Sequence, residues 1–410
     1  MLTRRRFLLT LPAAAALPQT LMGPGQAAAQ WPTQSFTAHF HKQPPAPPAP
    51  SFVYFGTDTA KGVSKGIYVS RFDAARGQLS APVLAAASLR PGFLALSSVV
   101  AGHARLYATN EGNDATSTIS SFQMDMASGA LRPINQVSAG AAGPCYVSLD
   151  ATGEMAFVAD YAGSAIATYR VLPNGALSEP VERLNYKEAK FGKRGPNAER
   201  QEAPHPHSVH LSPDNRFLLV NDLGSDAISV FAIESGARLG QPVFFSNDRP
   251  GSGPRHIAFH PNGRWVYSIN ELDSTIDHFL WSTTSSRTDP QGMLVNTGQV
   301  VRTGATAKST GAAEVAISPD GNFLYASNRG EDTLVVFSID DEGKLNLVQR
   351  IGCGGKTPRQ FTLSPDSKWV LCGNQDSATV TVFRRDGATG KLGGPVQSLE
   401  LDSVMFALFA

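Results

Sequence analysis

Seven polar side chains occupy two places of a repeated sequence frame: His207, Arg255 and Arg359 at one, and Glu111, Glu271, Arg329 and Gln375 at the other. The first place directly follows a leading proline or alanine, where the copies carry Cys145, His207, Arg255, Ala313 and Arg359. The second directly follows an Asx, where they carry Tyr161, Leu223, Glu271, Arg329 and Gln375, with Glu111 from a stretched copy. A purely structural position should hold similar residues in every copy. These positions vary while several stay charged or polar, which points to a ligand. Arginine offers a planar fork that pairs bidentately with carboxylate or phosphate. A group of arginines, glutamates and a histidine therefore suits a small anionic molecule. The bland alternative is a set of solvated ion pairs at strand ends.

The elements that must position these residues follow from the frame itself. Pro206 opens a short apolar run, a Ser-Pro-Asp-Asn turn comes next, and a second run ends at Asn221 and Asp222. A third, alternating run closes on Phe231, 25 positions after Pro206. The same interval separates Pro144 from Tyr169, Pro254 from Phe279, Ala312 from Phe337 and Pro358 from Phe383. A stretched copy spans Pro91 to Phe122, and a fragment from Ser51 to Phe72 looks like the second half of a unit. Short apolar runs between Pro-Asp-Gly-like turns read as strands. Copies that start 46 to 62 residues apart predict an all-β, seven-bladed β-propeller with four antiparallel strands per blade. The N-terminal fragment needs a strand from the far end of the chain, and Ser403–Phe409 is placed to close the ring and remove open sheet edges. In such a ring the start of the first strand and the end of the second share one mouth of the central channel, so the seven polar residues should converge there.

The chain has 410 residues and a formal charge of +1. Its first 29 residues hold Arg4, Arg5 and Arg6 and no acid, leaving −2 beyond them. This near-neutral balance argues against a nucleic-acid partner. The basic start, the alanine-rich apolar run and Ala27-Ala-Ala29 predict a signal peptide over 1–29, and the paired arginines before Phe7-Leu8 predict the twin-arginine type. Pro12, Pro18 and Pro24 interrupt the run well short of the ~20 residues of a membrane span. The expectation is therefore export by the twin-arginine translocase to the periplasm, with no stable membrane association after cleavage. Residues 30–50 are a proline-rich linker, and 51–410 are the propeller. A polar insertion at 185–203 leads into Pro204-His-Pro-His207, and long loops of this kind are often functional.

Other chemistry is weakly signalled. Cys145, Cys353 and Cys372 cannot build a disulfide framework, and Cys372 should be a small buried hydrophobe. His205, His207 and His210 invite a metal reading, but alternation along a strand should send His207 and His210 to opposite faces. By the same rule His256 and His260 should lie opposite Arg255, as packing or surface residues. No nucleophile elbow, phosphate-binding glycine loop or paired cysteine motif is present.

Four stretches carry a resemblance to a known family. They are Asn197-Ala-Glu-Arg-Gln-Glu-Ala-Pro-His-Pro-His-Ser-Val209, Gly253-Pro-Arg-His-Ile-Ala-Phe-His-Pro261 with Asn270-Glu-Leu272, Ser327-Asn-Arg-Gly330, and Gly354-Gly-Lys-Thr-Pro-Arg359 with Asn374-Gln-Asp-Ser377. On these the chain, from about Phe52 onward, resembles the seven-bladed lactonase propellers, namely cycloisomerase-type 6-phosphogluconolactonase and 3-carboxy-cis,cis-muconate lactonizing enzyme. The resemblance implies a site of one His, two Arg and one Glu, which fall on His207, Arg255, Arg329 and Glu271, with no metal or cofactor. Glu111, Arg200, Arg359 and Gln375 are the expected substrate contacts. Gln360, where the family pattern suggests His, and the export signal are departures.

Three functions compete. In a lactonase, Glu271 or His207 would act as general base on water, and Arg255 and Arg329 would hold the anionic group and the developing oxyanion. The substrate would be a 6-phosphogluconolactone-like or unphosphorylated aldonolactone. A lactonizing isomerase would use the same residues on a dicarboxylate. A non-catalytic periplasmic binding or scaffold propeller would use the mouth for a ligand alone, since fold by itself assigns no function.

Overall fold

Phe217–Asp222 is buried at every position, because this strand lies between two neighbouring sheets and has no solvent face. Its counterparts Phe323–Asn328 and Trp369–Asn374 are likewise buried throughout. That is why these runs read as continuously apolar and not as alternating. The outer strands behave differently: Leu345–Gly352 and Leu392–Glu400 are mostly exposed or half-buried.

The computed structural model describes residues 52–97, 104–114, 116–246, 249–284, 291–306 and 309–410. The chain divides into two units, Met1–Ala46 and Pro47–Ala410, and every described residue falls in the second. The expected twin-arginine signal (1–29) and linker (30–50) lie outside the described residues.

Seven antiparallel sheets form the ring. Blades I to VI run in chain order, with innermost strands Pro91–Leu96, Pro144–Leu149, Pro206–Leu211, Pro254–Phe259, Ala312–Ile317 and Pro358–Leu363. Blade VII is composite. Val404–Phe409 forms its innermost strand and pairs antiparallel with Phe52–Thr57, which continues to Gly66–Asp73 and Val83–Ala87. The closure expected from the sequence is therefore present. Among the described residues the helical content is one three-residue 3-10 turn, Leu223–Ser225, and no helix is long and apolar enough to cross a membrane.

Adjacent blades share their cores. Phe217, Leu219, Ile228 and Val230 of blade III pack with Ile257, Val266, Phe279 and Trp281 of blade IV. Buried tyrosines add a clasp between blades. Tyr54, Tyr107, Tyr267 and Tyr325 each donate a hydroxyl to the carbonyl of a turn glycine in the next blade: Gly129, Gly175, Gly343 and Gly390, at 2.7–3.1 Å. Those glycines have φ between 70° and 87°, a left-handed conformation that side-chain-bearing residues adopt at a cost.

Candidate active site

A single irregularity recurs at the start of every innermost strand. In blade IV, Pro254 opposes Asn270 while His256 opposes Ile269, so Arg255 is one residue extra on its strand. The same extra residue occurs between Pro206 and Ser208, Pro358 and Gln360, Pro144 and Tyr146, and Val404 and Phe406. Blades I and V carry it between Pro91 and Leu94 and between Ala312 and Val315. A β-bulge re-aims side chains and resets the alternation beyond it. The varied position of the sequence frame is thus the bulge: His207, Arg255, Arg359 and Cys145, with Met405 in the composite blade.

The second varied position is tied to the first through the backbone. The amides of Glu111, Tyr161, Leu223, Glu271, Arg329 and Gln375 donate to the carbonyls of Arg90, Gly143, His205, Gly253, Gly311 and Thr357, each one residue before the innermost strand. Asp58 makes the equivalent bond to Ser403 in blade VII. Both varied positions therefore share one mouth.

Glu271 is the hub of that mouth. Its Oε2 accepts from Arg255 Nε at 3.0 Å and Arg329 Nη2 at 2.9 Å, and its Oε1 accepts from Arg200 Nη2 at 2.6 Å. His207 Nε2 stands 4.0 Å from Oε2. Burial alone would raise the Glu271 carboxyl, but Arg329, Arg255 and Arg200 outweigh it and hold it at about 2. Burial and the positive charges of Arg255, Arg359 and Arg329 push His207 well below the usual imidazole range, so its ring is neutral. Its Nδ1 is buried without a hydrogen-bond partner among the described residues. Arg255 is 3% exposed; burial and the neighbouring Arg329 lower it to about 10, which leaves it charged at neutral pH.

Arg200 arrives on the insertion. The Asn197 side chain accepts from the amides of Glu199 and Arg200, both at 3.1 Å, forming a local turn. Gln201 anchors the loop by donating to the Asp226 carboxylate at 2.7 Å. Arg200 also donates to the Tyr161 hydroxyl at 3.3 Å, and Tyr161 stacks on His205 with ring centroids 4.3 Å apart.

The far side of the mouth holds a second acidic group. Arg90 Nε pairs with Asp58 at 3.0 Å, and its Nη2 lies 3.7 Å from Glu111. A Cβ at Gly92 would collide with the Glu111 carboxylate, so glycine at this bulge makes room for the acid. Burial raises Glu111 against the pull of Arg359 and Arg90. Arg359 lines the channel. Gln375 shares the frame, but its side chain makes no hydrogen bond among the described residues. Asp58 and Arg90 were missed by sequence reasoning. The frame applied to the composite blade, where Asp58 follows Thr57, would have found the first.

Below the arginines the channel is plugged. The rings of Tyr146 and Phe406 pack at a tilt on Phe93, with centroids 3.9 and 4.0 Å away, and His256 and His210 pack on Tyr146 at 5.1 and 4.9 Å. The space left beside His207, Arg255 and Arg359 is about 10 Å³, roughly what one water needs. This corrects two expectations. His256 lies on the same side as Arg255, with Nε2 3.2 Å from Arg255 Nη1. His207 and His210 both reach His256, at 5.2 and 6.2 Å between centroids. The cause in each case is the bulge, which breaks strict alternation. His260 is a packing residue as expected, with Nε2 2.9 Å from the Gly321 carbonyl. Cys372 is fully buried. Among the described residues no group of three His, Cys, Asp or Glu is arranged to hold a metal.

The pattern of a family described as lactonase, 7-bladed beta-propeller, matches residues 52–409. The chain belongs to this family. It is 30% identical to a 6-phosphogluconolactonase of Bacillus subtilis, over 83% of this chain and 92% of that one. A 6-phosphogluconolactonase of Formosa agariphila is 31% identical, over 83% and 94%. The structure of a periplasmic gluconolactonase from Pseudomonas aeruginosa superposes with a TM-score of 0.78 at 32% identity, covering 87% of this chain and 98% of that one. In this member of the lactonase family, Arg90, Arg200, Arg255, Arg329 and Arg359 face Asp58, Glu111 and Glu271 across the mouth. The positive excess favours an anion or a developing oxyanion.

Proposed function

We propose that the protein is an exported lactonase that opens a sugar lactone by direct attack of water at this mouth. The observation that carries the reading is the Glu271 hub: three guanidinium groups on one buried carboxylate, with the neutral His207 ring beside them. A lactone carbonyl drawn to Arg255 and Arg329 would have its developing negative charge met by groups already in position. Glu271, held at about 2, is ionised but too weak a base to activate water well. Its part is to orient the arginines. The base is assigned to His207, whose ring is neutral in the resting site and whose Nε2 faces the hub, 4.0 Å from Glu271 Oε2. As negative charge develops on the substrate, it offsets the arginine charges that depress His207, and the ring gains basicity at the moment it is needed.

The steps balance. Water adds its hydroxyl to the carbonyl carbon and its proton to His207. The tetrahedral oxyanion then collapses, the ring C–O bond breaks, and His207 returns the proton to the leaving oxygen. The product is a hydroxy acid. Glu111, Arg200, Arg359 and Gln375 are proposed to hold the sugar hydroxyls or a phosphate. The relatives named for 6-phosphogluconolactone and the periplasmic relative named for gluconolactone support a six-carbon aldonolactone. The twin-arginine start and the periplasmic relative support export to the periplasm.

The test is hydrolysis of glucono-1,5-lactone and 6-phosphogluconolactone by the chain from Gln30, with Arg255→Ala as baseline against spontaneous opening. Turnover lost in the variant supports the reading. Equal rates at the spontaneous level in both would overturn it and favour a ligand-binding propeller.

A further inference from the structure

The layer under the arginines holds a carboxylate–imidazole pair that the proposed reaction does not use, and the role assigned to it rests on reading the mouth as a lactone site. Arg255 Nη1 donates to the Ala313 carbonyl at 2.7 Å. It also lies 3.2 Å from His256 Nε2 and 3.4 Å from Nδ1. Two nearly equal distances put that nitrogen over the ring, not in line with either lone pair. A neutral ring face attracts a cation, and a protonated one would repel it. His256 also packs edge-on against His207, with centroids 5.2 Å apart. One imidazole thus backs two residues of the mouth. Glu314, on the neighbouring blade, pins that imidazole: its Oε1 is 3.1 Å from His256 Nδ1 and accepts from the Val315 amide at 3.0 Å.

We propose that Glu314 is a positioning residue which, through the His256 ring, sets the direction in which Arg255 and His207 face the substrate. Without the Nδ1 tether the ring can turn about its Cβ–Cγ bond, and the shelf under Arg255 is lost. The bulge makes the arrangement possible, because it aims both Arg255 and the residue after it toward the channel axis.

The same pair gives the site a pH response. The groups that face Glu314 are His256 and Arg255 of blade IV, His210 of blade III and the Tyr146 hydroxyl of blade II. Burial outweighs the pull of Arg255 and His210 and raises Glu314 to about 7. Above that pH a negative charge appears behind Arg255 and weakens the hold on an anion in the mouth.

Sulfate tests this without lactone chemistry, since it keeps its charge across the range. Calorimetry with sulfate and steady-state lactone kinetics would compare wild type, Glu314→Gln and Glu314→Ala, with near-ultraviolet circular dichroism to verify folding. Wild-type sulfate affinity should fall about threefold or more between about pH 6 and 8, while Glu314→Gln, which keeps an acceptor for Nδ1–H, should stay flat and remain within about threefold of wild-type kcat at about pH 6. Glu314→Ala should lose about tenfold in both sulfate affinity and kcat. Wild-type behaviour in Glu314→Ala would overturn the proposal. So would equal damage in both variants with an unchanged pH profile, which would leave Glu314 a packing residue. If no variant turns over a lactone, wild type included, yet sulfate shows the expected pattern, the positioning role stands and the lactonase reading falls.

Discussion

Arg200 meets Glu271 on the carboxylate oxygen that Arg255 leaves free: Arg200 Nη2 binds Oε1 at 2.6 Å and Arg255 Nε binds Oε2 at 3.0 Å. The two arginines differ in origin. Arg255 stands on the rigid bulge and is 3% exposed, whereas the Arg200 side chain is 42% exposed and rides on the insertion. A surface-borne cation should contribute to substrate capture more than to the chemical step. Arg200→Ala is expected to raise KM by about fivefold to twentyfold while kcat stays within about threefold. Steady-state kinetics on both lactones measure this, and a collapse of kcat with unchanged KM would place Arg200 in the chemistry.

Glu271→Gln removes the negative charge that three guanidinium groups share. Buried cations left without their counter-charge should destabilise the fold by about 3–5 kcal/mol. Turnover should fall more than binding, since the arginines lose their common anchor. The Glu271 carboxyl sits below its ordinary value, so its stabilising share is present above about pH 4.3 and is lost as pH falls toward about 2. Acid unfolding monitored by circular dichroism should accordingly be steeper between about pH 4 and 2 in wild type than in Glu271→Gln. Identical acid limbs would count against the hub.

Asp160 stands where Asn110, Asn270, Asn328 and Asn374 stand in other blades. Those asparagines donate through Nδ2, for example to the Leu89 carbonyl at 2.6 Å and to Asp277 at 2.7 Å. Asp160 is fully buried, and neither carboxyl oxygen has a partner among the described residues. Burial raises it well above the usual carboxylate range. A raised carboxyl holds its proton in the native state, so its contribution to stability declines as pH rises above about 3.9, the unfolded value. Asp160→Asn is expected to stabilise the protein at neutral pH by about 1–3 kcal/mol, with the gain shrinking toward acid. Thermal melts of the two proteins at neutral and acid pH check both the sign and the trend.

The repeat was legible because five blades write one 25-residue frame with a leading proline or alanine, a turn and an Asx. The closing strand was legible because the first fragment lacked a partner. His207, Arg255, Arg329 and Glu271 emerged as places where the copies disagree, and the structure brings the first three within 4.0 Å of the Glu271 carboxylate. The orientation of His256 and His210 was not legible. Strict alternation is the default for a strand, and one extra residue per innermost strand overrides it with no local sign in residue type. Asp58 and Arg90 were hidden for a different reason: one belongs to a blade split between the chain ends, the other precedes the stretched copy.

The bulge separates two jobs that a β-sheet usually forces on the same residues. The pleated partners around it carry the ladder and the packing between blades, and the extra residue carries little of either. Each blade therefore presents the axis with a residue that can be exchanged while the sheet keeps its register. A ring of such places is a rewritable panel: the ligand it accepts can change by point substitution, blade by blade, without new loops and without renegotiating the core.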